Sequence, residues 1–138
     1  MYDNCLIIMG KQCMSDIDKD LNDSNWKVRL ARVQRMGWTP TPEQVERGLS
    51  DIDTWVRVAW VKRHDFTPTH EQIERGLKDW LSGVKAAWAH RMDWSPTHEQ
   101  VEKGLNDESI YVREAWVKRL KMEQEKLLDD EYGMMVQI

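Results

Sequence analysis

Four histidines, two cysteines and 24 acidic side chains are the groups with which this chain of 138 residues could do chemistry. A zinc site needs three or four ligands within about 2.3 Å of the metal. His70 and His98 occupy the same place in a repeated segment and so stand a helix pair apart, while His64 and His90 fall near the ends of other helices. This spacing predicts surface or half-buried histidines and no metal site. Nucleophilic catalysis finds no foothold either: there is no Gly-x-Ser-x-Gly turn, no glycine-rich phosphate loop and no cysteine with a partner histidine in a distinct context. The acids recur in register, as Glu43/Glu71/Glu99 and Glu46/Glu74/Glu102, which suits helix surfaces better than a unique acid–base pair. Cys5 and Cys13 lie close together near one end, would staple little, and read as reduced thiols of a cytoplasmic protein. The chain is therefore expected to be no enzyme and to carry no cofactor.

Cations come nearer to a binding chemistry. Arg29, Arg57, Lys85 and Arg113 form one row, and Arg35, Arg63, Arg91 and Arg119 form another, thickened by Lys62 and Lys118. Helices stack at about 8–10 Å, so such a row could follow a phosphate backbone. Arg35, Lys62, Arg63, Arg91, Lys118 and Arg119 are accordingly the candidate nucleic-acid contacts. The balance of 20 basic against 24 acidic residues, a formal net charge of −4, excludes a generic basic nucleic-acid binder. Pairing of Asp with Arg, and cations at helix C-termini, would account for both rows without a ligand. Nucleic acid is the alternative expectation.

Tryptophan is the compositional oddity, with eight Trp against three Tyr and one Phe. Trp60, Trp88 and Trp116 share one position of the repeat, and Trp38 and Trp94 share another with Phe66 and Met122. These five are expected in the core, where large flat rings fill the space beside small Ala columns. Trp26, Trp55 and Trp80 do not recur. Their columns include Ser, Thr, Lys, Gly and Glu in other repeats, so they are expected to face solvent, with Tyr111 in the column of Trp55. Exposed aromatic clusters are interface anchors, which makes Trp26, Trp55, Trp80 and Tyr111 the candidate partner-binding residues.

The elements that hold these residues follow from a period of 28 residues. Thr41-Pro42-Glu43-Gln44-Val45-Glu46-Arg47-Gly48-Leu49 is echoed by the segments from Thr69 to Leu77 and from Thr97 to Leu105. Asp23/51/79/107, Val28/56/84/112 and Ala31/59/87/115 repeat four times. A fixed period of this size marks a stacked array. Each repeat reads as two helices. The first opens at Thr41, Thr69 or Thr97 with a capping box to the Gln three residues on, and Gly48, Gly76 and Gly104 are expected as left-handed residues closing it. The second starts after the Asp column, expected as its N-cap, and presents Val56, Ala59, Trp60 and His64 or their equivalents to its neighbours. The Arg35/63/91/119 column falls in its last turn, and Thr39-Pro40, Thr67-Pro68 or Ser95-Pro96 stops it.

The expected organisation is one domain, 1–138: an N-terminal cap over 1–12, repeats at 13–40, 41–68, 69–96 and 97–124, and a C-terminal extension over 125–138. Leu6-Ile7-Ile8-Met9 suits a short covering helix. With no Pro after Leu120, the last helix is expected to run to about Asp130, followed by an apolar tail, Tyr132 to Ile138, that folds back or joins a second copy as a homodimer. No stretch approaches the roughly 18 apolar residues that span a bilayer, and Asp3 before the short apolar run does not suit a signal peptide.

Leu49, Asp51, Val56, Arg57 and Ala59 resemble the second helix of HEAT-type repeats. The continuation through Arg63, Thr67-Pro68 and Glu71 to Leu77 is similar to variant leucine-rich repeats. The resemblance spans residues 13–124 and implies an all-α, right-handed α-solenoid of four two-helix repeats. It further implies a ladder between repeats in which Asp51, Asp79 and Asp107 meet Arg29, Arg57 and Lys85. The iron–sulphur cluster of variant leucine-rich proteins needs more cysteines than this chain has. The expected function is non-catalytic binding of another protein, as an inhibitor, immunity factor or adaptor that occludes its partner.

Overall fold

The computed structural model describes residues 15–136, which form eight α-helices with no strand among the described residues. They are α1 (Asp16–Leu21), α2 (Trp26–Gln34), α3 (Pro42–Leu49), α4 (Thr54–Val61), α5 (His70–Leu77), α6 (Ser82–His90), α7 (His98–Leu105) and α8 (Ile110–Val136). The all-α expectation holds. The chain divides into two compact units, Met1–Thr67 and Pro68–Ile138. The first contains α1–α4 and the second α5–α8, so each holds two of the expected helix pairs and the division falls between two expected repeats.

The short first helices form because their caps are local and complete. Thr41 Oγ1 accepts the Gln44 N–H at 3.2 Å while Gln44 Oε1 accepts the Thr41 N–H at 2.9 Å. Thr69–Gln72 and Thr97–Gln100 repeat both bonds. Each such cap contributes about 1 kcal/mol.

Two expectations about helix ends are corrected. The Asp column does not supply the N-caps. Asp23, Asp51, Asp79 and Asp107 each accept the backbone N–H two residues on, at 2.8–2.9 Å, and so form the turn that leads into the second helix. The caps proper are Asn25 for α2, Asp53 for α4 and Leu81, with no side-chain bond, for α6. Nor do Gly48, Gly76 and Gly104 take left-handed conformations. Gly37, with φ of 95°, is the one positive-φ glycine among the described residues. The three repeat glycines lie inside their helices, and a Cβ on any of them would overlap the indole of Trp60, Trp88 or Trp116 respectively. They are glycines because the tryptophan of the same repeat lies against the helix backbone.

The first pair shows the same contact in another form. Asp20 stands in the glycine column and Arg32 in the tryptophan column, and they form a salt bridge of 2.6 Å. Trp60, Trp88 and Trp116 are buried, as expected, and Trp38 and Trp94 are half-buried. Trp38 meets Trp60 edge-on at 6.0 Å, and Trp94 meets Trp116 in the same way at 6.1 Å. In the second unit, Ala89 of α6 packs with Val112, Ala115 and Trp116 of α8. His64, expected on the packed stripe, is exposed, because α4 ends at Val61.

α8 runs 27 residues, beyond the expected Asp130. Tyr132 is exposed on it, so the chain does not fold back over the last pair as far as residue 133. The N-terminal cap over 1–12, both cysteines, and the side chains of 134–138 on which a homodimer through the tail depends lie outside the described residues. Among the described residues no helix is long and apolar enough to cross a membrane.

Candidate protein-binding surface

The second helix of each repeat follows directly on its Asp turn. Trp26 is the first residue of α2, Trp55 the second of α4 and Tyr111 the second of α8, while Trp80 precedes α6. Their exposures are 36 % for Trp26, 64 % for Trp55, 78 % for Trp80 and 72 % for Tyr111. The turns that carry them are tightly bonded. Asp53 accepts from both the Trp55 and Val56 N–H groups, at 2.9 and 3.1 Å, and Asp79 accepts from the Leu81 N–H at 2.9 Å. Lys27 Nζ lies 5.9 Å from the centroid of the Trp26 ring.

Two apolar residues of this surface escape a search confined to aromatics. Ile52, in the column of Trp80, and Ile110, in the column of Trp26, are both exposed. Their columns already carried the signal. The first unit thus presents Trp26, Ile52 and Trp55 at the starts of its second helices, and the second presents Trp80, Ile110 and Tyr111.

Ion pairs fix the turns underneath. Arg29 holds Asp51 through two bonds of 2.9 Å, and Lys85 holds Asp107 at 2.9 Å. These are two of the Asp–cation contacts expected between neighbouring repeats. The Asp51 hydrogen bond raises the Arg29 pKa above its ordinary value, outweighing desolvation. Burial pushes the Asp107 carboxyl up, but the Ser109 N–H, Lys85 and Arg113 together hold it below the usual carboxylate range. Arg29, Arg57 and Arg113 also donate to the carbonyls of Asp23, Asp51 and Asp107, at 2.7–2.8 Å.

The second basic row divides by burial. Arg63, Arg91 and Arg119 are buried, the last two only 1 % exposed. Arg63 donates to the carbonyls of Val33 at 2.7 Å, Arg35 at 3.2 Å and Trp38 at 2.9 Å, and pairs with Asp65. Arg119 donates in the same way to Ala89, Arg91 and Trp94, and pairs with Glu123 at 2.8 Å. Each of these two guanidiniums therefore neutralises the carboxyl end of the preceding second helix rather than its own. Each also stacks on a tryptophan, Arg63 at 4.3 Å from the Trp38 ring and Arg119 at 4.5 Å from the Trp94 ring. Arg63, Arg91 and Arg119 are thus buried and bonded within their own units. Arg35, Lys62 and Lys118 remain exposed.

Each unit has a groove between its first helices. One of about 430 Å³ is floored by Leu21, Val56 and Trp60, and one of about 240 Å³ by the corresponding Leu77, Val112 and Trp116. Polar groups along them are joined to one another: Arg29 to Asp51, Arg47 to Asn22, Gln44 to Asp18, and Gln100 to Glu74. All four histidines are exposed. Among the described residues no cluster of His, Cys, Asp and Glu could hold a metal ion. Comparison of the chain with protein-family models, curated proteins and solved structures gave no match.

Proposed function

We propose that the chain is a right-handed α-solenoid of four helix pairs that binds another protein without catalysis, with Trp26, Trp55, Trp80 and Tyr111 as anchors. The observation that carries the reading is the division of the tryptophans. Those that follow the period are buried or half-buried against glycine, arginine and each other, whereas those that break it are exposed at the starts of second helices. Trp55, Trp80 and Tyr111 keep 64, 78 and 72 % of their surface in solvent. Aromatic side chains left in solvent on tightly bonded turns suit the central, desolvated contacts of an interface, which buries about 800 Å² per partner. An inhibitor, immunity factor or adaptor that occludes its partner fits such a surface. The competing expectation of nucleic acid is weakened, because half of its candidate contacts are buried.

The test compares wild type with Trp55→Ala and Trp80→Ala. Both variants should keep the wild-type melting temperature and lose the captured partner, and wild-type binding should change little between low and moderate salt. Retention of the partner by both variants would overturn the reading. So would affinity that falls steeply with salt and depends on Lys62 and Lys118, the signature of phosphate contacts.

A further inference from the structure

The second helices α2 and α6 end at Gln34 and His90, which hold the same place in the repeat as Lys118. α8 passes that point and continues to Val136, about five turns further. Its residues 124–133 are all exposed. Propensity alone holds so short a stretch of helix poorly in water, and most helices are held by the packing of an apolar face.

Such a face is present. Val117, Leu120, Gln124, Leu127 and Leu128 follow one another at spacings of three and four residues and so form one stripe. It lies on the side of α8 opposite the buried Val112, Ala115 and Arg119. The stripe begins where earlier second helices receive a neighbour. Val117 shares its column with Val33 and Ala89, on helices that pack against α4 and α8 respectively. Val33 and Ala89 are 1 and 0 % exposed, but Val117 is 51 % exposed.

Charge selects what covers it. Along one flank of the stripe run Lys118, Lys121, Glu125 and Asp129, two cations followed by two acids. Turned end for end about a two-fold axis close to Gln124, this flank sets acids beside cations at both ends and is therefore complementary to itself. A parallel copy would set like charges together.

We propose that a second copy of this chain docks on the stripe, with its α8 antiparallel to the first. Leu120 then meets Leu127 of the second copy, and Lys118 and Lys121 lie beside Asp129 and Glu125 of the second copy. The two Gln124 side chains meet at the centre, where a polar residue in an apolar seam fixes the register. Val112, Ala115 and Arg119 face the other way, so the rest of each second unit stays clear of the contact.

Sedimentation velocity of the full chain over a range of concentrations should show monomer and dimer in equilibrium. Leu127→Glu, at an exposed position, should still unfold cooperatively and should raise the dissociation constant at least roughly tenfold. The orientation is read from two charge-reversed chains, one with Lys118→Glu and Lys121→Glu, the other with Glu125→Lys and Asp129→Lys. Each alone should be monomeric at concentrations where the wild type dimerises, and an equimolar mixture should recover the dimer. A wild type that stays monomeric would overturn the proposal. So would a dimer untouched by Leu127→Glu, charge-reversed chains that each dimerise alone, or a mixture that stays monomeric.

Discussion

Replacing Gly104 by Ala tests whether that glycine serves a helix end or a tryptophan. Gly104 lies within α7, and a Cβ there would overlap Nε1, Cδ1 and Cε2 of Trp116. The ring has little room to yield, since it is buried, edge-on to Trp94 at 6.1 Å and beside Arg119. Overpacking a core typically costs about 1–3 kcal/mol, and an overlap with a closely packed indole belongs at the upper end. Ala regains up to about 1 kcal/mol of helix propensity. The expected net loss is thus about 2 kcal/mol, read as a fall in urea midpoint at unchanged slope. The control is the same substitution in a Trp116→Leu background. That background is itself less stable, by about 2–4 kcal/mol, because it leaves a cavity, but the added methyl now has space. There Gly104→Ala should be neutral or stabilising by up to about 1 kcal/mol, giving a coupling of about 2–3 kcal/mol between the two sites. Equal effects in the two backgrounds, or stabilisation in wild type, would refute the reasoning.

Three further outcomes follow from the same contacts. Trp88→Ala should cost about 3–5 kcal/mol by thermal or chemical denaturation, whereas Trp80→Ala should stay within about 0.5 kcal/mol. Arg119→Met should lower stability by about 3 kcal/mol, because it strips the carbonyls of Ala89, Arg91 and Trp94 of their donor; Arg119→Lys should restore only part of it, since a point charge cannot reach all three. Asp107 has a folded pKa below its ordinary 3.8, so its contribution is present above that value and is lost as pH falls through about 4 and below. Acid unfolding followed by circular dichroism should therefore lose part of its dependence on pH in that window in Asp107→Asn.

What the sequence disclosed was whatever is local or strictly periodic. The capping boxes at Thr41, Thr69 and Thr97 need only four consecutive residues, and they form as expected. The burial of Trp60, Trp88 and Trp116 and the exposure of Trp55 and Trp80 followed from whether a residue respects the period, because a repeated environment demands a repeated side chain. Two of the misreadings share a cause, in that the residue's partner lies on another element. Gly48 looks like a helix terminator until Trp60 is seen against it, and Arg63 looks like a surface cation until the carbonyls of Val33 and Trp38 surround it. One signal for the first was present: glycine and tryptophan disappear together in the first pair, where Asp20 and Arg32 replace them as a bonded unit. The dual use of Asp51 and Asp107, one oxygen on the backbone of its own turn and the carboxylate on a cation of the preceding pair, could not be read from spacing alone.

The central claim is that tryptophans breaking the period meet a protein partner while those obeying it hold the fold together. Hydroxyl-radical footprinting, free and in the complex captured from native cells, measures both classes at once. Free protein should be oxidised readily at Trp55, Trp80 and Tyr111, and more slowly at the partly exposed Trp26, while Trp60, Trp88 and Trp116 stay protected; in the complex, Trp55 and Trp80 should become protected as well. Unchanged oxidation of Trp55 and Trp80 in the captured complex would contradict the account.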